Sequence, residues 1–154
     1  MIRRLRLYLD TSVFNFIFAD DDPRKKEITE KFFDSLPNLG QIFISEVVLR
    51  EIRRAPEPRQ TELSGLIGRY TPRLLELNPE TIDLAEKYLD EGIIPRKYRD
   101  DALHIAVAVV NDLDVVVSWN FEHIVKLKTR MEVNGINKML GYKEIEICSP
   151  EEVI

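Results

Sequence analysis

One cysteine, Cys148, stands in the whole chain of 154 residues. An internal disulfide framework is therefore excluded, and a reducing compartment is the default. Histidine is nearly as scarce: His104 and His123 stand alone, with no second histidine at metal-ligand spacing from His104, which argues against a zinc site. Long apolar runs are missing as well. The stretch "ALHIAVAVV" is far too short to span a bilayer, so no membrane association is expected. The amino terminus carries arginines but no apolar run with a cleavage site, and a signal peptide is not expected. Low-complexity tracts and internal repeats are absent. These absences predict a cytoplasmic protein with one domain and one sizeable core over residues 1–154.

Positive charge is also in short supply. The net charge of −5 argues against general avidity for nucleic acid. The basic residues are nonetheless grouped: Arg50, Arg53, Arg54 and Arg59; Arg96, Lys97 and Arg99; Lys126, Lys128 and Arg130. Such groups are either guides for a polyanion or solvated faces.

What is present is an alternation of strand and helix patterns. "RLRLYLDTSVF" opens with Leu5, Leu7 and Leu9 alternating with Arg6 and Tyr8, the period of a strand, and ends in Asp10. "PRKKEITEKFFDSL" reads as an amphipathic helix with Ile28, Phe32, Phe33 and Leu36 on one face, broken by "PNLG". The strand "QIFIS" follows, then a helix "EVVLREIRRA" capped by Ser45 and ended by Pro56 and Pro58. "RQTELSGLIGRY" reads as a third helix, "RLLEL" as a strand, and "ETIDLAEKYLDEG" as a helix starting at Asn78-Pro79. "DALHIAVAVVND" is apolar nearly all round, which predicts a buried helix. "VVVS" is a strand apolar on both sides, "NFEHIVKLK" a helix, "EIEIC" the last strand, and "SPEE" a capping box. The alternation predicts an α/β fold with a mostly parallel sheet covered on both faces.

In such sheets ligands bind outside the carboxyl ends of the strands. Asp10 sits at one such end, where on its own it is an ordinary cap or turn residue. Glu51 lies beside the apolar face of its helix, where a carboxylate is costly to desolvate unless something positive meets it; Glu46 and Arg50 are spaced to pair on the exposed face. Asp100 and Asp101 open the buried helix. One of them suffices as a cap, and His104, four residues after Asp100, is placed as a core histidine bonding that aspartate. Ser118 and Asn120 follow the "VVVS" strand as Thr11 and Asp10 surround the end of the first, although Asn120 alone is also a helix cap. Asp10, Glu51, Asp101 and Asn120 thus come from four segments directed at one edge. Hard oxygen ligands of this kind suit Mg²⁺ or Mn²⁺. A divalent cation relieves repulsion among crowded carboxylates and assists in-line attack on a phosphodiester.

"YLDTSVF", "ISEVVLREI", "DDALHIAVA" and "VVVSWNFEHI", in this order and spacing, resemble the PIN domain, the nuclease module of VapC-type toxins in toxin–antitoxin systems. The resemblance covers nearly the whole chain. It implies a three-layer α/β/α sandwich with a five-stranded parallel sheet and a metal-dependent endoribonuclease acting through clustered acids. It makes Asp10, Glu51 and Asp101 the metal-holding acids and Ser12 a residue that positions water or phosphate. The fourth position, usually Asp, falls on Asn120, which removes one negative charge; Glu122 either replaces that charge or points outward. The implied partners are RNA, a second copy of the chain in a homodimer, and a cognate antitoxin. The aromatic cluster Phe14, Phe16, Ile17 and Phe18 is either ordinary core or one of those contact surfaces. The alternative that Asn120 leaves open is a regulatory metal- or RNA-binding module without hydrolysis.

Overall fold

The computed structural model describes residues 3–154. In chain order its elements are β1 (Leu5–Leu9), α1 (Thr11–Asn15), α2 (Pro23–Leu39), β2 (Gly40–Ser45), α3 (Glu46–Arg54), α4 (Arg59–Tyr70), β3 (Arg73–Leu75), α5 (Pro79–Asp90), α6 (Arg99–Val110), β4 (Val115–Val117), α7 (Leu127–Met139), β5 (Glu146–Cys148) and α8 (Pro150–Val153), with 3-10 turns at Phe16–Phe18 and Arg96–Tyr98. Every strand pair is parallel, in the order β3-β2-β1-β4-β5.

The two-residue period of the strands divides the interior into two cores. Leu7 and Leu9 of β1, Ile42 and Ile44 of β2, and Val115 and Val117 of β4 face α1, α2, α3 and α4. Tyr8, Phe43 and Val116 point the other way, onto α5, α6 and α7. The sandwich therefore has three layers. Helix α6 is buried along almost its whole length, from Ala102 to Val109, as its all-round apolar sequence predicts. Among the described residues no helix is long and apolar enough to cross a membrane.

The strand order fixes where a ligand goes. From β1 the chain winds outward through β2 to β3, then returns to the other side of β1 to lay down β4 and β5. A crevice opens at that reversal, outside the carboxyl ends of β1 and β4. Caps place several helix starts as expected. Ser45 Oγ accepts the Val47 amide at 3.1 Å, Asn78 Oδ1 accepts the Thr81 amide at 2.9 Å, and Ser149 and Glu152 form a capping box.

Two expectations are corrected. "PNLG" does not break α2 before Pro37, since the helix runs through Pro37 to Leu39. A proline so close to the end forfeits little of the helical ladder; the Gly40 amide closes on the Leu36 carbonyl and Arg4 holds the Pro37 carbonyl at 3.0 Å. Gly40 itself is required by crowding, because a Cβ there would overlap the Leu5 carbonyl of the neighbouring strand. "NFEHIVKLK" is not a helix but a series of turns, and α7 starts only at Leu127. The Asn120 carbonyl accepts both the Ile124 and Val125 amides, the Lys126 amide turns back to the Ile124 carbonyl, and Thr129 Oγ1 donates to the His123 carbonyl, so the helical ladder is not continued. Helix α7 itself was not legible, since only Thr129, Val133 and Asn137 of it are buried.

Asp114 joins the starts of β1 and β4. Its Oδ2 accepts the Arg6 amide at 2.8 Å, and its Oδ1 accepts Arg3 Nη2 at 2.7 Å and Lys143 Nζ at 3.2 Å. Burial works against its charge, but the Arg6 amide and the two cations outweigh it and hold Asp114 below the ordinary carboxylate range. A depressed pKa stabilises the folded chain above the ordinary carboxylate pKa and is lost as pH falls through the folded value. Asp114→Asn is expected to lower stability at neutral pH by on the order of 1 kcal/mol. Urea denaturation should show the difference from the unsubstituted chain shrinking as pH is taken down through the carboxylate range.

Candidate active site

The crevice at the strand reversal is a cleft of about 310 Å³. Asp10, Ser12, Glu51, Asp101, His104 and Asn120 line it. All four positions read from the sequence are therefore brought together from β1, α3, α6 and the turn after β4.

Asp10 is 4% exposed. Ser12 Oγ donates to its Oδ1 at 2.5 Å and Ser118 Oγ donates to its Oδ2 at 2.7 Å. Burial pushes its carboxyl above the ordinary value, against the opposing influence of His104 and the two serine hydroxyls. Ser12 Oγ also accepts the Trp119 amide at 2.9 Å. The Ser12 hydroxyl hydrogen is thus committed to Asp10, and the residue's observed part is to tie the ends of β1 and β4 together.

Glu51 is held by two partners that sequence reading did not assign to it. Thr11 Oγ1 donates to its Oε1 at 2.8 Å, and His104 Nε2 lies 2.7 Å from the same oxygen. Burial alone would raise Glu51, but His104 and Thr11 prevail and hold it below the ordinary range. His104, 1% exposed, does not bond Asp100 as expected. Its Nδ1 lies 2.6 Å from the Tyr8 hydroxyl, which in turn meets Ser45 Oγ at 2.9 Å. Ser45 is the cap of α3, so one hydrogen-bonded chain fixes both the start of that helix and the carboxylate near its end. Burial opposes a charge on the imidazole, yet Glu51 and the other carboxylates raise its pKa above the usual value. The available sequence signal was position: Thr11 and Ser118 follow strand ends, and His104 is one helical turn from Asp101.

Asp100 and Asp101 separate into different tasks, and neither caps α6, whose first residue is preceded by Tyr98 with no side-chain cap. Asp100 accepts from Arg50 Nη2 at 3.3 Å and Arg54 Nη1 at 3.4 Å, which ties α3 to α6. The expected Glu46–Arg50 pair is replaced by that contact. Asp101 faces the cleft and makes no side-chain hydrogen bond among the described residues. Desolvation pushes it up to about 6, with His104 and His123 opposing and Asp10 and Glu51 adding to the rise.

Asn120 lies on the cleft wall, but its Oδ1 already accepts the amides of Glu122 at 3.2 Å and His123 at 2.9 Å. It caps the turn, and its carbonyl is not free to serve as a ligand. Glu122 points outward, 79% exposed, and does not replace the missing charge. As the side chains stand, no three acidic, histidine or cysteine groups among the described residues surround one ion position. The aromatic cluster is divided: Phe14 is core, Phe16 packs on Trp119, and Ile17 and Phe18 are half-buried.

The raised Asp101 pKa has a consequence for stability. A carboxyl whose folded pKa lies above its unfolded one destabilises the native chain once pH exceeds the unfolded value. Asp101→Asn is expected to stabilise the metal-free protein at pH 7 to 8 by on the order of 1 to 2 kcal/mol, with the gain vanishing near pH 4. Thermal unfolding in EDTA across that pH range measures it.

The PIN domain family profile matches residues 7–123. No curated protein is similar enough in sequence to match the chain. Among solved structures, VapBC2 from Rickettsia felis, bound to a DNA fragment from its promoter, is similar with a TM-score of 0.60 and 14% identity, covering 94% of this chain and 98% of that one. VapC20 from Mycobacterium tuberculosis, a Sarcin-Ricin loop cleaving toxin, gives 0.59 and 15%, covering 91% and 98%. DNA-bound VapBC from Salmonella typhimurium gives 0.54 and 18%, covering 95% and 98%. The matched profile spans β1 to the turn after β4, the segments that supply the cleft, and the chain belongs to the PIN domain family.

Proposed function

We propose that the chain is a divalent-metal-dependent endoribonuclease, the toxin component of a toxin–antitoxin pair. The observation that carries this reading is Asp101: a desolvated carboxylate without a hydrogen-bond partner among the described residues, in one cleft with Asp10 and Glu51. Uncompensated negative charge of this kind is what a hard dication relieves, and the donors are all oxygen, which fits Mg²⁺ or Mn²⁺. Asp10 and Asp101 are the residues that would hold the ion, with Glu51 beside them. Once bound, such an ion lowers the pKa of water and stabilises charge on a phosphodiester under in-line attack.

The chain's own residues do the rest. Ser12 and Ser118 aim the Asp10 carboxylate by occupying one lone pair on each oxygen. Thr11 and His104 fix Glu51 through Oε1, which leaves its other oxygen to accept a proton from an attacking water. Asn120 holds the turn that closes the cleft wall. The solved structures of VapBC assemblies support an antitoxin as a partner of this chain as well, and a homodimer is proposed on the family resemblance.

The commitment of the Asn120 carbonyl to its own turn favours a second reading, a module that binds metal or RNA with little or no hydrolysis. One assay separates the two. The purified chain, titrated with Mn²⁺ or Mg²⁺ on a pool of cellular RNAs, is expected to cleave, and EDTA to stop it. Asp10→Asn and Asp101→Asn should each reduce cleavage by at least about 100-fold. Full metal-dependent cleavage by either variant refutes the site assignment; intact RNA with the unsubstituted chain favours the second reading. Because protons and metal compete for Asp101, metal affinity should fall as pH is lowered through about 6. Isothermal titration with Mn²⁺ at a series of pH values checks that sign.

A further inference from the structure

The basic groups that the sequence offered as guides for a polyanion are mostly neutralised within the chain. Arg50 and Arg54 pair with Asp100, Arg59 with Glu62, Arg96 with Glu86 and Asp90, Arg99 with Glu86, and Lys128 with Glu132. In a protein of net charge −5 this pairing leaves Arg53, Lys97, Lys126 and Arg130 of those groups without a carboxylate partner among the described residues, a modest supply of charge for phosphate contacts. What it presents beside the cleft is aromatic.

Tyr98 immediately precedes α6, three residues before Asp101, and is 37% exposed. Its ring stacks on His123 with centroids 4.0 Å apart and planes tilted by 32°. His123 belongs to the turn after β4, three residues after Asn120, so this stack joins the start of α6 to that turn, the two segments that bring Asp101 and Asn120 to the cleft. Lys97 Nζ, without a carboxylate partner among the described residues, is 5.7 Å from the Tyr98 centroid. Toward α2, Phe121 directly follows Asn120 and is 47% exposed. It meets Trp119 edge-on at 5.9 Å, with Lys25 Nζ 5.1 Å from its centroid. Trp119 is anchored beneath it by Thr29, whose Oγ1 accepts the indole N–H at 2.8 Å. Each exposed ring therefore packs on a less exposed neighbour and has a lysine ammonium over it. Rigid aromatic faces with adjacent cations are the chemistry that holds unpaired bases.

We infer that Tyr98 and Phe121 are base-stacking platforms flanking the cleft, and that the RNA bound there is recognised through unpaired bases on either side of the phosphate more than through charge. This rests on the nuclease reading for the placement of the phosphate but not for the stacking itself. A base-paired strand keeps its bases stacked on one another and cannot use the two rings.

Binding measured in EDTA separates the stacking from the cleavage. Fluorescence anisotropy would compare a single-stranded RNA of about eight nucleotides with an abasic strand of the same length and with a paired hairpin stem. The unsubstituted protein is expected to bind the base-bearing strand at least about 10-fold more tightly than either of the others. Tyr98→Leu and Phe121→Leu should each weaken binding of the base-bearing strand by roughly 5- to 100-fold and leave abasic binding nearly unchanged, while Tyr98→Phe retains it. Equal binding of base-bearing and abasic strands by the unsubstituted protein overturns the inference, and that comparison needs no variant to fold. Leucine variants that bind both strands as the unsubstituted chain does, or lose both equally, overturn it too. Selective base-dependent binding in a protein that never cleaves would uphold the platforms and defeat the nuclease reading; cleavage without base-dependent binding would do the reverse.

Discussion

The site is organised around one buried carboxylate at the tip of the central strand. Removing Asp10 from water carries a cost of several kcal/mol unless its oxygens are met by donors. The chain meets them with two hydroxyls from opposite sides of the strand reversal, Ser12 after β1 and Ser118 after β4. Ser12 also receives the Trp119 amide, and the Ser118 hydroxyl receives that of Asn120. The two loops that bound the crevice are thus stitched through the group they present, and the geometry of the cleft depends on that stitch.

The other two acids are held by different means, and the difference divides their chemistry. Glu51 is fastened by Thr11 and His104 and kept readily ionised. Asp101 receives no hydrogen bond among the described residues, and its charge is opposed by burial and by the Asp10 and Glu51 carboxylates, against the influence of His104 and His123. Under the proposed nuclease reading, such unequal treatment of clustered carboxylates would separate a base from a place that holds a cation. The buried charge at Asp101 costs the metal-free chain stability, and under that reading a bound cation would relieve it.

Much of the fold was legible because local rules and tertiary demands agree over most of the chain. Alternation in "RLRLYL", the all-round apolar character of α6, and the caps Ser45, Asn78 and Ser149 each report on their own residues, and the structure follows them. The failures occur where a remote contact overrules the local pattern. The Asn120 turn does not continue as a helix because the Val125 amide closes on the Asn120 carbonyl and Thr129 claims the His123 carbonyl, and α2 passes Pro37 because Arg4 and Gly40 secure its last turn. Arg50 leaves Glu46 for Asp100, which lies in another helix.

The sequence by itself determined which side chains arrive at the crevice. Asp10, Glu51, Asp101 and Asn120 sit at strand ends and helix faces, positions that periodicity and the family resemblance point to without a structure. Only the tertiary structure decided what each does there. His104 bonds Glu51 rather than Asp100, Ser12 is bound to Asp10, Asn120 turns its carbonyl onto its own loop, and Asp101 is left unpartnered. Hydrogen-bond partners and desolvation are set by atoms distant in sequence, and no local periodicity encodes them.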